Sequence, residues 1–344
     1  MQPELTTRER EVFLAIVHGF VKNAEPVGSR FISKNYNLNI SPATVRNVMA
    51  DLEEKGLIWQ PHTSAGRMPT TFGYRAYVNS LEGRDELSEV EQSIIVEKLA
   101  KFSRNADIII SQTAKVLSDI SNQLGVVLSP RFTRGRLDRV ELVPLGGQKL
   151  LLVLSVNSGI VKSVIIEIET ETTPYLVSDT ANLINARLHG LSIEQLTQSL
   201  TERFNDVDVK RKALIDAIRT STDELIQFEP EGDFYFSGAH HVIQNPEFKS
   251  QEKVGRILEL LDRKDILVKV LSDQNKNGVS IVIGEENKEE LMRNCSVITT
   301  TYQIDGAKGM FGVIGPTRMQ YAKIISLVQF ISNTLHYMVS KTSN

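Results

Sequence analysis

Apolar positions near the start of the chain fall at helical spacing, with Val12, Phe13, Ile16, Val17, Phe20 and Val21 forming one stripe. Thr6-Thr7-Arg8-Glu9 ahead of it is a start signal, since a threonine hydroxyl caps free amides and the acid favours the helix dipole. Asn23 to Pro26 ends this first helix. A second, short helix is predicted from Ser29 to about Tyr36, with Phe31, Ile32 and Tyr36 inward. Ser41-Pro42 then opens a third, serine at the cap and proline at the first helical position. Its buried stripe is Val45, Val48, Met49, Leu52 and Leu57, and Gly56 stops it. Leu57-Ile58-Trp59-Gln60 reads as a strand, Pro61 to Pro69 as a loop, and Thr70-Thr71 as the start of the return strand.

Beyond this the pattern changes twice. Phe72 to Glu82 continues as a helix, and a charged, turn-like stretch from Glu82 to Glu89 is a boundary. One long helix is predicted from Ser88 to about Leu124. Strands follow at 126–128, 139–143, 150–154 and 164–168, and strand patterns return at 279–283, 295–298 and 299–302. Between them lie helix candidates at 176–188, 193–204, 210–228 and 253–261. A sheet interrupted by a mostly helical stretch predicts one domain inserted into a loop of another. A final helix, Thr317 to Ser340, is expected to pack on that sheet. The fold class is therefore α+β and multidomain, as the length of 344 residues also suggests.

Composition narrows the class without deciding it. No apolar run approaches the ~18 residues of a membrane helix. The start carries acids and no apolar signal core, and the single cysteine, Cys295, forms no internal disulfide, so a cytoplasmic protein with no membrane association is expected. Net charge is −3, divided as +2 over residues 1–80 and −5 over the rest, a weak bias toward a DNA-facing end.

The third helix carries the candidate chemistry. Its face opposite the buried stripe holds Ala43, Arg46, Asn47 and Ala50, with Ser41 and Thr44 at the front. Small and hydrogen-bonding residues there suit entry into a major groove, where Arg pairs with guanine and Asn with adenine. Three helices followed by a two-stranded hairpin is the winged variant of the helix-turn-helix. The hairpin loop adds His62, Ser64 and Arg67, the last read as lying on a Gly66-Arg67 tip that reaches phosphate or minor groove. A protein-binding winged helix has the same topology and stays open at this point. If it reads DNA, a selective winged helix of this kind needs two heads, because one buries too little surface and an inverted-repeat site has two-fold symmetry, so a homodimer on double-stranded DNA is expected.

Three segments closely resemble the bacterial heat-inducible repressor HrcA family: Glu25-Pro26-Val27-Gly28-Ser29-Arg30, the helix from Ile40 to Glu53, and Thr63-Ser64-Ala65-Gly66-Arg67-Met68-Pro69-Thr70. The likeness covers the whole chain, with a further strong patch from Gly309 to Tyr321. The resemblance implies a negative regulator of chaperone operons, bound to an inverted-repeat operator called CIRCE and kept active by the chaperonin GroEL. It also implies that the split sheet is a GAF-like domain and that the insert serves dimerisation. The expected boundaries are 1–82 for the winged helix, 83–124 for a helical linker, 125–171 with 272–344 for the GAF-like domain, and 172–271 for the insert.

Other features point nowhere strong. Gly306, Gly309, Gly312 and Gly315 lack the Lys-Ser/Thr of a phosphate loop and are read as backbone turns. His240-His241 is read as pointing to opposite sides with no third ligand, and Cys295 as core. No nucleophile, base and acid assemble at recognisable spacing, so no enzyme, metal or cofactor is expected. A GAF-like pocket for an effector, giving a metabolite-responsive regulator, is the alternative.

Overall fold

The computed structural model describes residues 3–63, 65–81, 87–101, 106–130, 135–157, 159–168, 172–228, 233–248, 250–274, 278–304 and 307–342. Thr6 caps α1 (Thr7–Asn23): its hydroxyl accepts from the Glu9 amide at 3.3 Å, and Glu9 accepts from the Thr6 amide at 2.9 Å. Two further helices follow, α2 (Ser29–Asn35) and α3 (Pro42–Glu54), then a short hairpin of β1 (Ile58–Trp59) and β2 (Met68–Pro69), antiparallel. The expected stripes of α1 and α3 are buried together, with Val21 half-buried. The return strand differs from expectation. It is Met68–Pro69, and Thr70 instead caps α4 (Thr71–Asn79), its hydroxyl accepting from the Gly73 amide at 2.9 Å. A threonine pair fits a strand and a cap equally, and the helical stripe of Tyr74, Tyr77 and Val78 decides for the cap.

The predicted long helix from 88 to 124 is two helices. These are α5 (Glu89–Ala100) and α6 (Ala106–Ser121), and Lys98 of α5 pairs with Asp119 near the far end of α6 at 2.6 Å. An end-to-end helix would hold those residues more than twenty positions apart, so the chain doubles back. Phe102 lies outside the described residues.

After α6 come β3 (Leu124–Leu128), β4 (Leu137–Gly146), β5 (Lys149–Val156) and β6 (Val161–Glu167). Then follow α7 (Pro174–Leu188), α8 (Ile193–Glu202), α9 (Val209–Phe228), β7 (Phe234–Ser237), α10 (Ala239–Gln244), α11 (Gln251–Asp262) and α12 (Lys264–Ser272). The chain finishes with β8 (Ser280–Ile283), β9 (Cys295–Ile304), β10 (Ala307–Pro316) and α13 (Tyr321–Thr342). The strands do not share one sheet. β4-β5-β6 form a three-stranded sheet covered by α7, α8 and α9, with its own core around Leu152, Leu154, Ile184 and Leu196. A second, five-stranded antiparallel sheet runs β7-β3-β10-β9-β8. Of the early strands only β3 belongs to it, and the chain re-enters at β7, a strand the pattern missed.

The five-stranded sheet is covered on both sides. Val127, Ile298, Phe311 and Val313 face α6 and α13, while Leu124, Val126, Met310 and Ile314 face α10 to α12. Strands buried on both faces read as unbroken apolar runs, which hides their period. β9 is one strand where two were predicted: the change from Val297-Ile298 to the threonines at 299–301 looks like a boundary, but pairing with β10 runs through it without a break. β10 was missed because its glycines read as turns. Gly309, Gly312 and Gly315 lie in the centre of the sheet because a Cβ there has no room: at Gly312 it would stand 2.1 Å from the Ile298 carbonyl oxygen, at Gly309 2.4 Å from the Tyr302 ring. Gly306 lies outside the described residues. The final helix packs on this sheet as expected and also supports α4: Tyr321 meets Tyr74 at 5.7 Å and Tyr77 at 6.5 Å between ring centroids. The N-terminal helices and the sheet thus share one apolar core. Among the described residues no helix is long and apolar enough to cross a membrane.

Candidate nucleic-acid interface

Ser41 fixes the start of α3, its hydroxyl accepting from the Thr44 amide at 3.1 Å and lying 3.0 Å from the Thr44 hydroxyl. Pro42 follows with φ already set for the helix. From that cap the 3.6-residue period puts Val45, Val48, Met49 and Leu52 inward. It leaves Ser41, Ala43, Arg46, Asn47 and Ala50 exposed on the opposite side, with Thr44 half-exposed. The side chains of Arg46 and Asn47 form no hydrogen bond or ion pair among the described residues. At the far end Gly56, at φ +72°, turns the chain out of the helix into β1.

The loop between β1 and β2 is folded against the helices. The Gln60 side-chain amide donates to the Thr63 and Ala65 carbonyls, both at 2.9 Å, and the Ala65 amide donates to the His62 carbonyl at 2.9 Å. His62 and Thr63 are exposed. Ser64 lies outside the described residues.

Arg67 does not occupy a tip. Its amide and carbonyl pair with those of Val27, both at 2.9 Å, in an isolated antiparallel bridge. Its guanidinium turns back to Glu53 near the end of α3, with Nη2 2.8 Å from Oε2. Gly66 permits this approach, since a Cβ there would stand 2.4 Å from the Val27 carbonyl carbon. The Gly-Arg pair reads like a hairpin tip because the Val27 bridge is a contact between distant segments, which local spacing does not report.

Sequence reasoning missed Arg30. It sits on α2, exposed, and its side chain forms no hydrogen bond or ion pair among the described residues. With Arg46 and Arg67 it borders a cleft of about 610 Å³ between α2, α3 and the loop, also lined by Ser29, Gln60 and Thr63. The available signal was weak: a lone arginine at the front of a short helix.

The remaining sequence candidates are ordinary. His240 and His241 do not diverge; they are successive positions of α10 and their rings lie 4.0 Å apart. Burial, followed by the neighbouring His240, lowers the pKa of His241. Cys295 is buried in β9, and burial pushes its thiol up to about 12, leaving it protonated and unreactive at neutral pH. No group of three or more His, Cys, Asp or Glu able to hold a metal occurs among the described residues.

The family model for the HrcA protein C-terminal domain matches residues 107–325. The heat-inducible transcription repressor HrcA of Chlorobium phaeobacteroides (strain BS1) is 37% identical over 352 residues, covering 98% of this chain and 99% of that protein. The repressor of the same name from Pelotomaculum thermopropionicum is 36% identical, covering 98% of both. A crystal structure at 2.2 Å resolution, described as that of a hypothetical protein, superposes with a TM-score of 0.68 at 20% identity over 98% of this chain and all of that one, a likeness of fold. With a family model spanning more than half the chain and relatives above 30% identity along nearly all of it, this protein belongs to the HrcA family of heat-inducible transcription repressors.

Proposed function

We propose that residues 1–82 are a winged helix-turn-helix that reads an inverted-repeat duplex operator of the CIRCE type, and that two copies act together to repress chaperone genes. The observation that carries this reading is the open face of α3, where Arg46 and Asn47 stand unpaired among the described residues, beside small residues and the cap Ser41–Thr44. That face can enter a major groove without steric obstruction from its own side chains. His62 and Ser64 of the loop are the expected flanking contacts. The five-stranded sheet with its helices is the GAF-like body. The dimerising insert then includes β4 to β6 as well as α7 to α9, since these share one core. The chaperonin GroEL is the proposed activator: a repressor near its stability threshold loses much of its folded fraction for about 1–2 kcal/mol.

Footprinting of the full-length protein on an inverted-repeat duplex tests the reading. Protection of both half-sites, strengthened by added chaperonin, is the expected result. No protection on any inverted repeat would refute the operator role, and a footprint indifferent to chaperonin would refute the activator role.

A second reading, an effector-responsive regulator, draws on a polar cavity of about 280 Å³ between the end of α1, the end of α6 and the start of α13. Arg318, Lys323 and Gln123 line it, and the Gln123 side-chain oxygen is buried without a partner among the described residues. A small molecule that shifts both melting temperature and operator affinity would favour this reading.

A further inference from the structure

We propose that the cleft between α2, α3 and the β1–β2 loop seats a backbone phosphate of the duplex, with Arg30 as its principal contact and Arg67 as the residue that holds the cleft wall in place. The inference rests on the DNA-reading role proposed above and adds a residue to it.

Three guanidinium groups border the cleft, and no carboxylate does so among its described lining residues. The polar groups beside them, Ser29, Gln60 and Thr63, are neutral. Such a surface fits a polyanion. Arg30 is exposed and unpaired among the described residues, so it meets a phosphate without first giving up a partner. Arg67 differs. It is already charge-paired with Glu53, its side chain is 19% exposed, and its Nε is buried with no partner among the described residues. Turning it toward DNA would leave Glu53 uncompensated and strip the loop of its tie to α3. Its backbone is further fixed by the Val27 bridge and by the close packing that only glycine at position 66 allows. Arg46, on the face of α3, borders the same cleft. A phosphate held by Arg30 therefore lies next to the base-reading face and sets the register of α3 in the groove.

Each phosphate neutralised contributes about −0.9 to the slope of log Kobs against log salt. The test measures that slope for full-length wild type, Arg30→Ala, Arg30→Gln and Arg67→Ala on a random-sequence duplex, with thermal melts to establish folding. Arg30→Ala and Arg30→Gln should melt as wild type and flatten the slope by about 0.9 per bound subunit. Arg67→Ala should weaken binding with the slope unchanged, and the exchange Glu53→Arg with Arg67→Glu should recover part of the lost affinity. A wild-type slope in both Arg30 variants would overturn the phosphate contact. A slope flattened by Arg67→Ala as much as by Arg30→Ala, with no recovery in the exchange, would overturn the positioning role. A wild-type protein that binds no duplex at any salt would remove the DNA-reading role itself, and this inference with it.

Discussion

Arg75 of α4 binds Glu286 across 211 positions of chain, its Nε donating to Oε1 at 2.8 Å while Nη2 donates to the Ile281 carbonyl at 2.7 Å. Glu286 in turn accepts from the Ile283 amide at 2.8 Å. This contact fastens the N-terminal helices to the edge strand β8 of the five-stranded sheet. A second tie comes from Arg318, which donates to the Val21 carbonyl at the end of α1 at 2.7 Å and to Glu247 at 2.8 Å. Between them Tyr321 packs against Tyr74 and Tyr77. The orientation of the N-terminal helices is thus set by side chains of the five-stranded sheet and its helices.

Arg75→Ala should loosen that docking. Hydrogen bonds to charged groups are worth about 2 kcal/mol, and the Ile281 carbonyl loses its side-chain donor as well. Urea unfolding should show a loss of that order, with proteolysis between α4 and α5 accelerated at the same time. Unchanged stability and unchanged cleavage would mean that the aromatic packing alone holds the head.

Arg46→Ala and Asn47→Ala should each lower specific operator binding by about 1–3 kcal/mol, concentrated at one base position per half-site. Both side chains are exposed and unpaired among the described residues, so thermal melts should match wild type. Competition binding against operators with single base changes checks the assignment. Wild-type affinity in both variants would remove α3 as the reading element.

The local half of this architecture was legible in the chain itself. The caps at Thr6 and Ser41, the stop at Gly56 and the exposed face of α3 follow from side-chain chemistry acting over three or four positions, and each is present. What local pattern misses is set by partners far along the chain. Arg67 looks like a loop tip until Val27 and Glu53 are beside it. Arg30 gains meaning only when α3 and the loop close a cleft around it. The partition of strands between two sheets was hidden for the same reason: an apolar run such as Leu150 to Leu154 in β5 marks a strand without saying which sheet it joins or which helices cover it.

Gly312→Ala tests the reading of β10 as a central strand. The added methyl would stand 2.1 Å from the Ile298 carbonyl oxygen in the β9–β10 ladder, where backbone has no freedom to retreat. Overpacking of this kind should cost about 3 kcal/mol and lower the melting temperature accordingly. Since the site is remote from α3, any folded fraction should bind DNA with wild-type specificity. A variant as stable as wild type would be incompatible with this strand register.

Acid should weaken the link between α5 and α13. Lys323 lies 2.6 Å from Glu91, whose carboxylate also accepts from the Ser88 hydroxyl and amide. The lysine first, then these Ser88 bonds, hold the Glu91 carboxyl down at about 2, against an ordinary value of 4.5. A carboxyl with a depressed folded-state pKa stabilises the fold fully above its unfolded value and loses that contribution as protonation proceeds. The contribution is therefore present above pH 4.5 and fades between about 4.5 and 2. The pair is partly open to water, so its worth is about 1 kcal/mol, well below what the full shift would imply. Urea unfolding of wild type and Lys323→Ala should differ by roughly that amount at pH 7, and the difference should shrink steadily as pH falls from 4.5 toward 2.5. A difference that stays constant over that range would assign the effect of Lys323 to packing of its aliphatic stem, with no part for the ion pair.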